Sequence, residues 1–212
     1  MKKVLLFQIL FVCFLLPAFG QQSNDQSSAK ALYNRLDICY AKALDAFEQN
    51  LYVTALQNFK TVGKLADSSY ANIGNAWSYI GRCEYQLFEY ATAIEAYQKA
   101  VAFSPEIKTQ DYYSQIGMAY VKNQQLEEAH LAFTEYEKLY PARGETYRNW
   151  AVYYALQGDK EKAISHLQKA VDLGFNDLKW LRTDSSMFSL RRHESFIKIM
   201  QAMKKKVEQE GI

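Results

Sequence analysis

Apolar and polar positions alternate along this chain at helical steps, and runs of alternating β-branched residues are absent. The clearest step runs from an alanine to a large apolar residue four positions on, which puts both on one helix face. It occurs at Ala55 to Phe59, Ala93 to Tyr97, Ala129 to Phe133 and Ala163 to Leu167, with 38, 36 and 34 residues between successive alanines. At one constant offset upstream lies a second small residue, namely Ala43, Gly81, Gly117 and Ala151. Three of these follow Ile80, Ile116 and Trp150, and Pro105 and Pro141 close the second and third units. Turn residues separate the two helices of a unit, plainly at Gln157, Gly158 and Asp159 and less so at Asn123, Gln124 and Gln125. The pattern predicts an all-helical chain of repeated helix-turn-helix units. No such unit buries its apolar face alone, so at least three must stack.

The repeating landmarks resemble the tetratricopeptide repeat, a unit of about 34 residues. Residues 74–107 fit best, with Trp77, Ile80, Gly81, Tyr90, Ala93, Tyr97, Ala100 and Pro105 in the expected places. Residues 110–143 follow with Tyr113, Ile116, Gly117, Tyr120, Ala129, Phe133 and Pro141. Residues 144–177 keep Tyr147, Trp150, Ala151, Tyr154, Gly158, Ala163, Leu167 and Ala170, with Phe175 where the proline would stand. Residues 36–69 retain only Ala43, Tyr52, Ala55 and Phe59. Glu84 stands where a tyrosine is usual, and Tyr136 where a small residue is usual. The resemblance implies four repeats within residues 31–177, wound as a right-handed superhelix. Small residues let paired helices approach, and the aromatic residue after each alanine fills a hole offered by the neighbouring unit.

The chain ends differ from this pattern. Lys2 and Lys3 precede an apolar run from Val4 to Phe19, broken only by Gln8 and Pro17, and a polar stretch follows. At about 16 residues the run is short of the roughly 20 that span a bilayer. It reads as a signal peptide over residues 1–20, with cleavage after Gly20, and the alternative is an uncleaved anchor. A polar leader occupies residues 21–30. The expectation is therefore a bacterial protein exported to the periplasm or beyond, with no stable membrane span after cleavage. Residues 178–212 read as a helical cap on the stack. There Asp184 is a helix N-cap ahead of Met187, Phe188 and Leu190, and a last helix carries Phe196, Ile197, Met200 and Met203 on one stripe.

Losing residues 1–20 brings the formal net charge from +2 to 0, which argues against a nucleic-acid partner, since such binders cluster Lys and Arg against phosphate. Arg191 with Arg192 and Lys204 to Lys206 read as solvated helix faces. Cys39 and Cys83 read as small buried thiols rather than a disulfide. His130, His166 and His193 have no second ligand at metal spacing, and no phosphate loop or nucleophile elbow is present. No catalytic residue, metal or cofactor is expected.

The resemblance places function on the concave face, lined by the first helix of each unit. Its candidate residues are Tyr40, Leu44 and Phe47; then Asn75, Ser78, Arg82 and Tyr85; then Asp111, Ser114, Met118 and Val121; and finally Glu145, Arg148 and Val152. Relatives that grip a free carboxyl terminus place lysine and asparagine one turn apart on this face. Here those places hold Tyr40 with Leu44, Ser78 with Arg82, Ser114 with Met118, and Arg148 with Val152, so that clamp is missing. Aromatic and aliphatic surface with two arginines remains, a mixture typical of protein-binding hot spots. The expected partner is another protein or peptide with apolar anchors and an acidic group for Arg82 or Arg148. The alternative is a self-associating subunit that buries Tyr40 and Phe47 against a second copy.

Overall fold

Glycine and proline are too scarce to interrupt the helical segments except between them, and the chain forms helices almost throughout. A computed structural model describes residues 18–109 and 111–210; the apolar run read as a signal peptide lies outside them up to residue 17. The helices are α1 (Ala18–Glu48), α2 (Tyr52–Leu65), α3 (Ile73–Gln86), α4 (Tyr90–Phe103), α5 (Tyr112–Lys122), α6 (Leu126–Leu139), α7 (Gly144–Gln157), α8 (Lys160–Asp172), α9 (Leu178–Thr183) and α10 (Glu194–Glu210). Short 3-10 helices occupy Pro105–Thr109 and Ser185–Leu190. There is no strand among the described residues. Residues 21–30, the polar leader of the sequence, continue the first turns of α1.

Consecutive helices pair as α1/α2, α3/α4, α5/α6 and α7/α8, and each pair stacks on the next. All four hairpins use one turn. Asn50, Phe88, Gln124 and Gly158 take positive φ of 59°, 66°, 63° and 84°, each five residues before the repeat alanine. The next amide donates back across the turn in every case: Leu51 to Ala46 (2.8 Å), Glu89 to Glu84 (2.9 Å), Gln125 to Tyr120 (2.9 Å) and Asp159 to Tyr154 (2.9 Å). This is the Schellman closure, in which a left-handed residue lets the last carbonyls of a helix find donors. Only the fourth unit uses glycine for it, where no side chain opposes the left-handed backbone.

The small residues act inside each unit. A Cβ at Gly81 would lie 2.8 Å from the Tyr97 ring, and one at Gly117 would lie 2.4 Å from the Phe133 ring. Ala43 with Phe59 and Ala151 with Leu167 are the equivalent pairs, all fully buried. The large residue therefore seats first on its own unit's small residue, a correction to the expectation that the neighbouring unit forms the hole. It also reaches the next unit: Phe59 stacks on Tyr79 at 5.0 Å, and Phe133 meets Trp150 edge-on at 5.8 Å. The two departures from the repeat pattern are also accommodated. Glu84 is buried and binds Lys60 of α2 at 2.8 Å, which ties the first unit to the second. Tyr136 is buried with its hydroxyl 3.3 Å from Asp111.

The carboxyl-terminal segment packs on α7 and α8. Asp184 caps the 3-10 helix by accepting from the Ser186 amide at 2.8 Å. Met187 and Leu190 are fully buried, whereas Phe188 is 73% exposed. On α10 the buried stripe is Phe196, Ile199 and Met203, with Met200 partly buried. Ile197, expected on that stripe, is 43% exposed, because steps of three and four from Phe196 reach Ile199 and Met200 instead.

Candidate protein-binding groove

The first helices of the units turn a common face inward, and the cap closes one end of it. A hollow of about 380 Å³ lies there, lined by Phe47 of α1, Arg82, Tyr85 and Gln86 of α3, Tyr97 of α4, Ser114, Gln115 and Met118 of α5, Arg148 of α7, Trp180 of α9, and Asp184. A second hollow of about 460 Å³ adjoins it, lined by Asp111, Ser114, Gln115, Tyr136, Arg143, Glu145 and Arg148. Ser114, Gln115 and Arg148 belong to both, so the two form one groove with Arg148 at its waist.

Of the residues expected on this face, Phe47, Arg82, Tyr85, Ser114, Met118 and Arg148 come together in the first hollow. Asp111 and Glu145 join Ser114 and Arg148 in the second. Tyr40 and Leu44 pack into the first-unit cluster instead. Tyr40 sets its edge on Phe59 and Tyr79 at 5.5 and 6.4 Å, and burial pushes its hydroxyl pKa up to about 12. Asn75 and Ser78 line neither hollow. Val121 and Val152 are corrections to the expected face: at 2% and 0% exposure they are core residues. The reason is the cap, since both belong to the cluster that holds Leu181, Met187 and Leu190.

The repeat register gave no reason to place Gln86, Tyr97, Gln115, Trp180 or Asp184 here. Trp180 and Asp184 lie beyond the last repeat and reach the groove only because the cap folds back. Lys122, at the end of α5, holds that fold: its Nζ donates to Asp184 Oδ1 at 2.9 Å, Ser186 Oγ at 2.7 Å and Ser185 Oγ at 3.2 Å. Burial raises the Asp184 pKa, but the bonds from Lys122 and Ser186 outweigh it and hold the carboxyl below its usual value.

The charges on the groove wall differ in how they are met. Arg82 lies over the Phe47 and Tyr79 rings at 4.5 and 4.7 Å, a cation–π pair that fixes a guanidinium without neutralising it. Asp111 pairs with Arg143 at 3.1 Å. The Ser114 hydroxyl accepts from Asn149 Nδ2 at 2.8 Å. Arg148 lies over Trp180 at 5.2 Å, and its Nε is buried without an acceptor. Burial lowers the pKa of this guanidinium, opposed in part by Tyr85 and Glu145. Burial likewise raises the Tyr85 hydroxyl well above its ordinary value, so it serves as a neutral donor. Aromatic faces, amides and guanidinium donors thus converge, a set that recognises polypeptide. Among the described residues no group of three or more His, Cys, Asp or Glu gathers for a metal ion. His130 instead sets its ring on Trp150 and Tyr153 at 5.1 and 5.7 Å.

Sequence models of the tetratricopeptide repeat match residues 74–107 and 115–176. Those two stretches carry tetratricopeptide repeats. Solved structures share this chain's fold, among them two described as tetratricopeptide-repeat proteins. TTC0263 of Thermus thermophilus superposes with a TM-score of 0.62 at 20% identity, over 82% of this chain and 91% of that one. MamA of Desulfovibrio magneticus RS-1 gives 0.59 at 18% identity, over 80% and 96%. YrrB, described as a tetratricopeptide-repeat protein with an unusual peptide-binding site, gives 0.56 at 21% identity, over 75% and 86%. No curated protein sequence matches significantly. At these identities the likeness is one of fold, and the repeat superhelix is that fold.

Proposed function

We propose that the protein is a non-catalytic adaptor of the cell envelope that holds a segment of a partner protein in the groove under its cap. The observation that carries this is the convergence of all four units and the cap on one wall, where the buried Nε of Arg148 has no acceptor. Tetratricopeptide folds are typical protein-interaction scaffolds, and the peptide-binding description of YrrB supports the same use of the fold. Self-association through Tyr40 and Phe47 has less support, because these rings are already packed against Phe59, Tyr79 and Arg82 of the same chain.

The test is site-specific photocrosslinking in the native envelope fraction. A crosslinker replaces Gln86 or Gln115, in the groove, or Leu131, which is 67% exposed on α6. One partner captured from the groove positions, not from Leu131, and lost when Arg82→Glu, Tyr85→Ala and Arg148→Glu are combined, is expected. Capture from Leu131 alone, or of this chain alone, sinks the proposal. Export is tested separately, by amino-terminal sequencing of the mature protein, which should begin at Gln21.

A further inference from the structure

We infer that Arg148 is the recognition point for an internal acidic side chain, aspartate or glutamate, of an extended peptide running through the groove. This rests on the groove reading above and adds the chemistry of the occupant.

Among the described residues no carboxylate lies within 4 Å of the Arg148 guanidinium, and its buried Nε has no acceptor at all. Buried guanidinium groups are otherwise paired or fully hydrogen-bonded, because an uncompensated charge out of water is costly. The neighbouring acids act on Arg148 through their field but form no ion pair with it. Asp184 is held by Lys122 and Ser186, Asp111 pairs with Arg143, and Glu145, one turn earlier on α7, is exposed at the rim of the second hollow. Trp180 fixes one face of the guanidinium, which leaves its edge for a planar anion, the geometry in which arginine binds carboxylate. Arg82 likewise lies over rings, so the first hollow sets two guanidinium groups against the one carboxylate of Asp184, which Lys122 already holds.

The position of Arg148 decides between a side chain and a chain end. It borders both hollows, so the groove continues to either side of it. A peptide bound there runs past Arg148 rather than stopping at it. The first hollow, with Phe47, Tyr85 and Met118, takes an apolar residue to one side of the acid; the second, with Asp111 and Arg143, takes polar residues to the other.

The experiment selects from random dodecapeptides displayed inside a loop, with no free terminus, on the full mature chain. Selected sequences are then made as peptides blocked at both ends and titrated by fluorescence anisotropy. Enrichment of Asp or Glu at one position is expected. Replacing that acid by its amide should weaken binding at least about tenfold. Arg148→Met should weaken it by a similar factor with no further loss for the amide peptide, and Arg148→Lys should retain part of the affinity. Because the amide-peptide arm uses the wild-type protein, a folding defect in either variant leaves the test intact. Groove-bound peptides that tolerate the amide, or that bind Arg148→Met unchanged, overturn the inference while the groove reading stands. Peptides that bind only with a free terminal carboxylate also overturn it. Failure to select any peptide that Tyr85→Ala weakens overturns both.

Discussion

Replacing Gly117 by alanine sets two effects of opposite sign against each other. In an exposed helix the change should stabilise by about 1 kcal/mol, since glycine is that much the poorer helix former. Here the new Cβ would sit 2.4 and 2.6 Å from two ring atoms of Phe133, where ordinary contact begins at 3.4 Å. Phe133 is 1% exposed and is also held by Trp150 of the next unit, so the ring has to retreat by about 1 Å into occupied space. Overpacking costs about 1–3 kcal/mol, and a contact this short belongs in the upper half of that range, so the net expectation is a loss of ~1–2 kcal/mol. Gly81→Ala, with Tyr97 at 2.8 Å, should lose less. Denaturant titration followed by far-ultraviolet dichroism measures both. Adding Phe133→Leu to Gly117→Ala recreates the Ala151–Leu167 pair of the fourth unit. The double variant should therefore be more stable than the sum of the single effects by about 1 kcal/mol. A Gly117→Ala protein as stable as wild type, or additive with Phe133→Leu, would refute the account of how the hairpins close.

The cap offers further tests. Lys122→Met strands the Asp184 carboxylate, which is only 15% exposed, and should cost ~2 kcal/mol, seen as early proteolysis within residues 178–210. The same pair gives a pH dependence. The folded pKa of Asp184 is depressed, so its stabilisation is present above the ordinary value of 3.8 and is lost as the pH falls through the folded value. The stability difference between wild type and Asp184→Asn should accordingly hold from neutral pH down to 3.8 and shrink below it; a difference that grows there would reverse the sign. Burial pushes the Cys83 thiol up to about 12, whereas Cys39 is only partly buried at the margin of the same cluster. Peptide mapping after alkylation of the native protein should find Cys39 modified first and Cys83 only on unfolding.

The four hairpins were legible because a single packing rule, small residue against large sixteen positions on, repeats in each unit. Gly158 and the Asn123 to Gln125 turn announced themselves by residue type. Asn50 and Phe88 did not, although they adopt the same backbone, because the register and not the side chain imposes it. The first unit read as degenerate since its anchors lie elsewhere: Tyr70 donates to Asp37 at 2.8 Å and Tyr33 to Asp67 at 2.9 Å, pairs that belong to no repeat landmark. On the groove, the repeat register picked out Arg82, Tyr85, Met118 and Arg148, which line one hollow. It misplaced Val121 and Val152 because periodicity within the repeats carries no information about a segment that returns from beyond them. Trp180 and Asp184 were missed for the same reason. Ile197 fell off its stripe by one residue, the usual size of error when a helix face is read without its neighbour.

The Lys122 knot means that the last wall of the groove is also the array's end closure. Linear repeat stacks fray from their ends, where a unit has one neighbour instead of two. Occupancy of the groove would bridge α3, α5, α7 and the cap at once, so the same contacts that hold a guest also oppose peeling of the carboxyl-terminal turns. Guest concentration would then set the lifetime of the protein against proteases in proportion to binding, and an unoccupied scaffold would be the one cleared first.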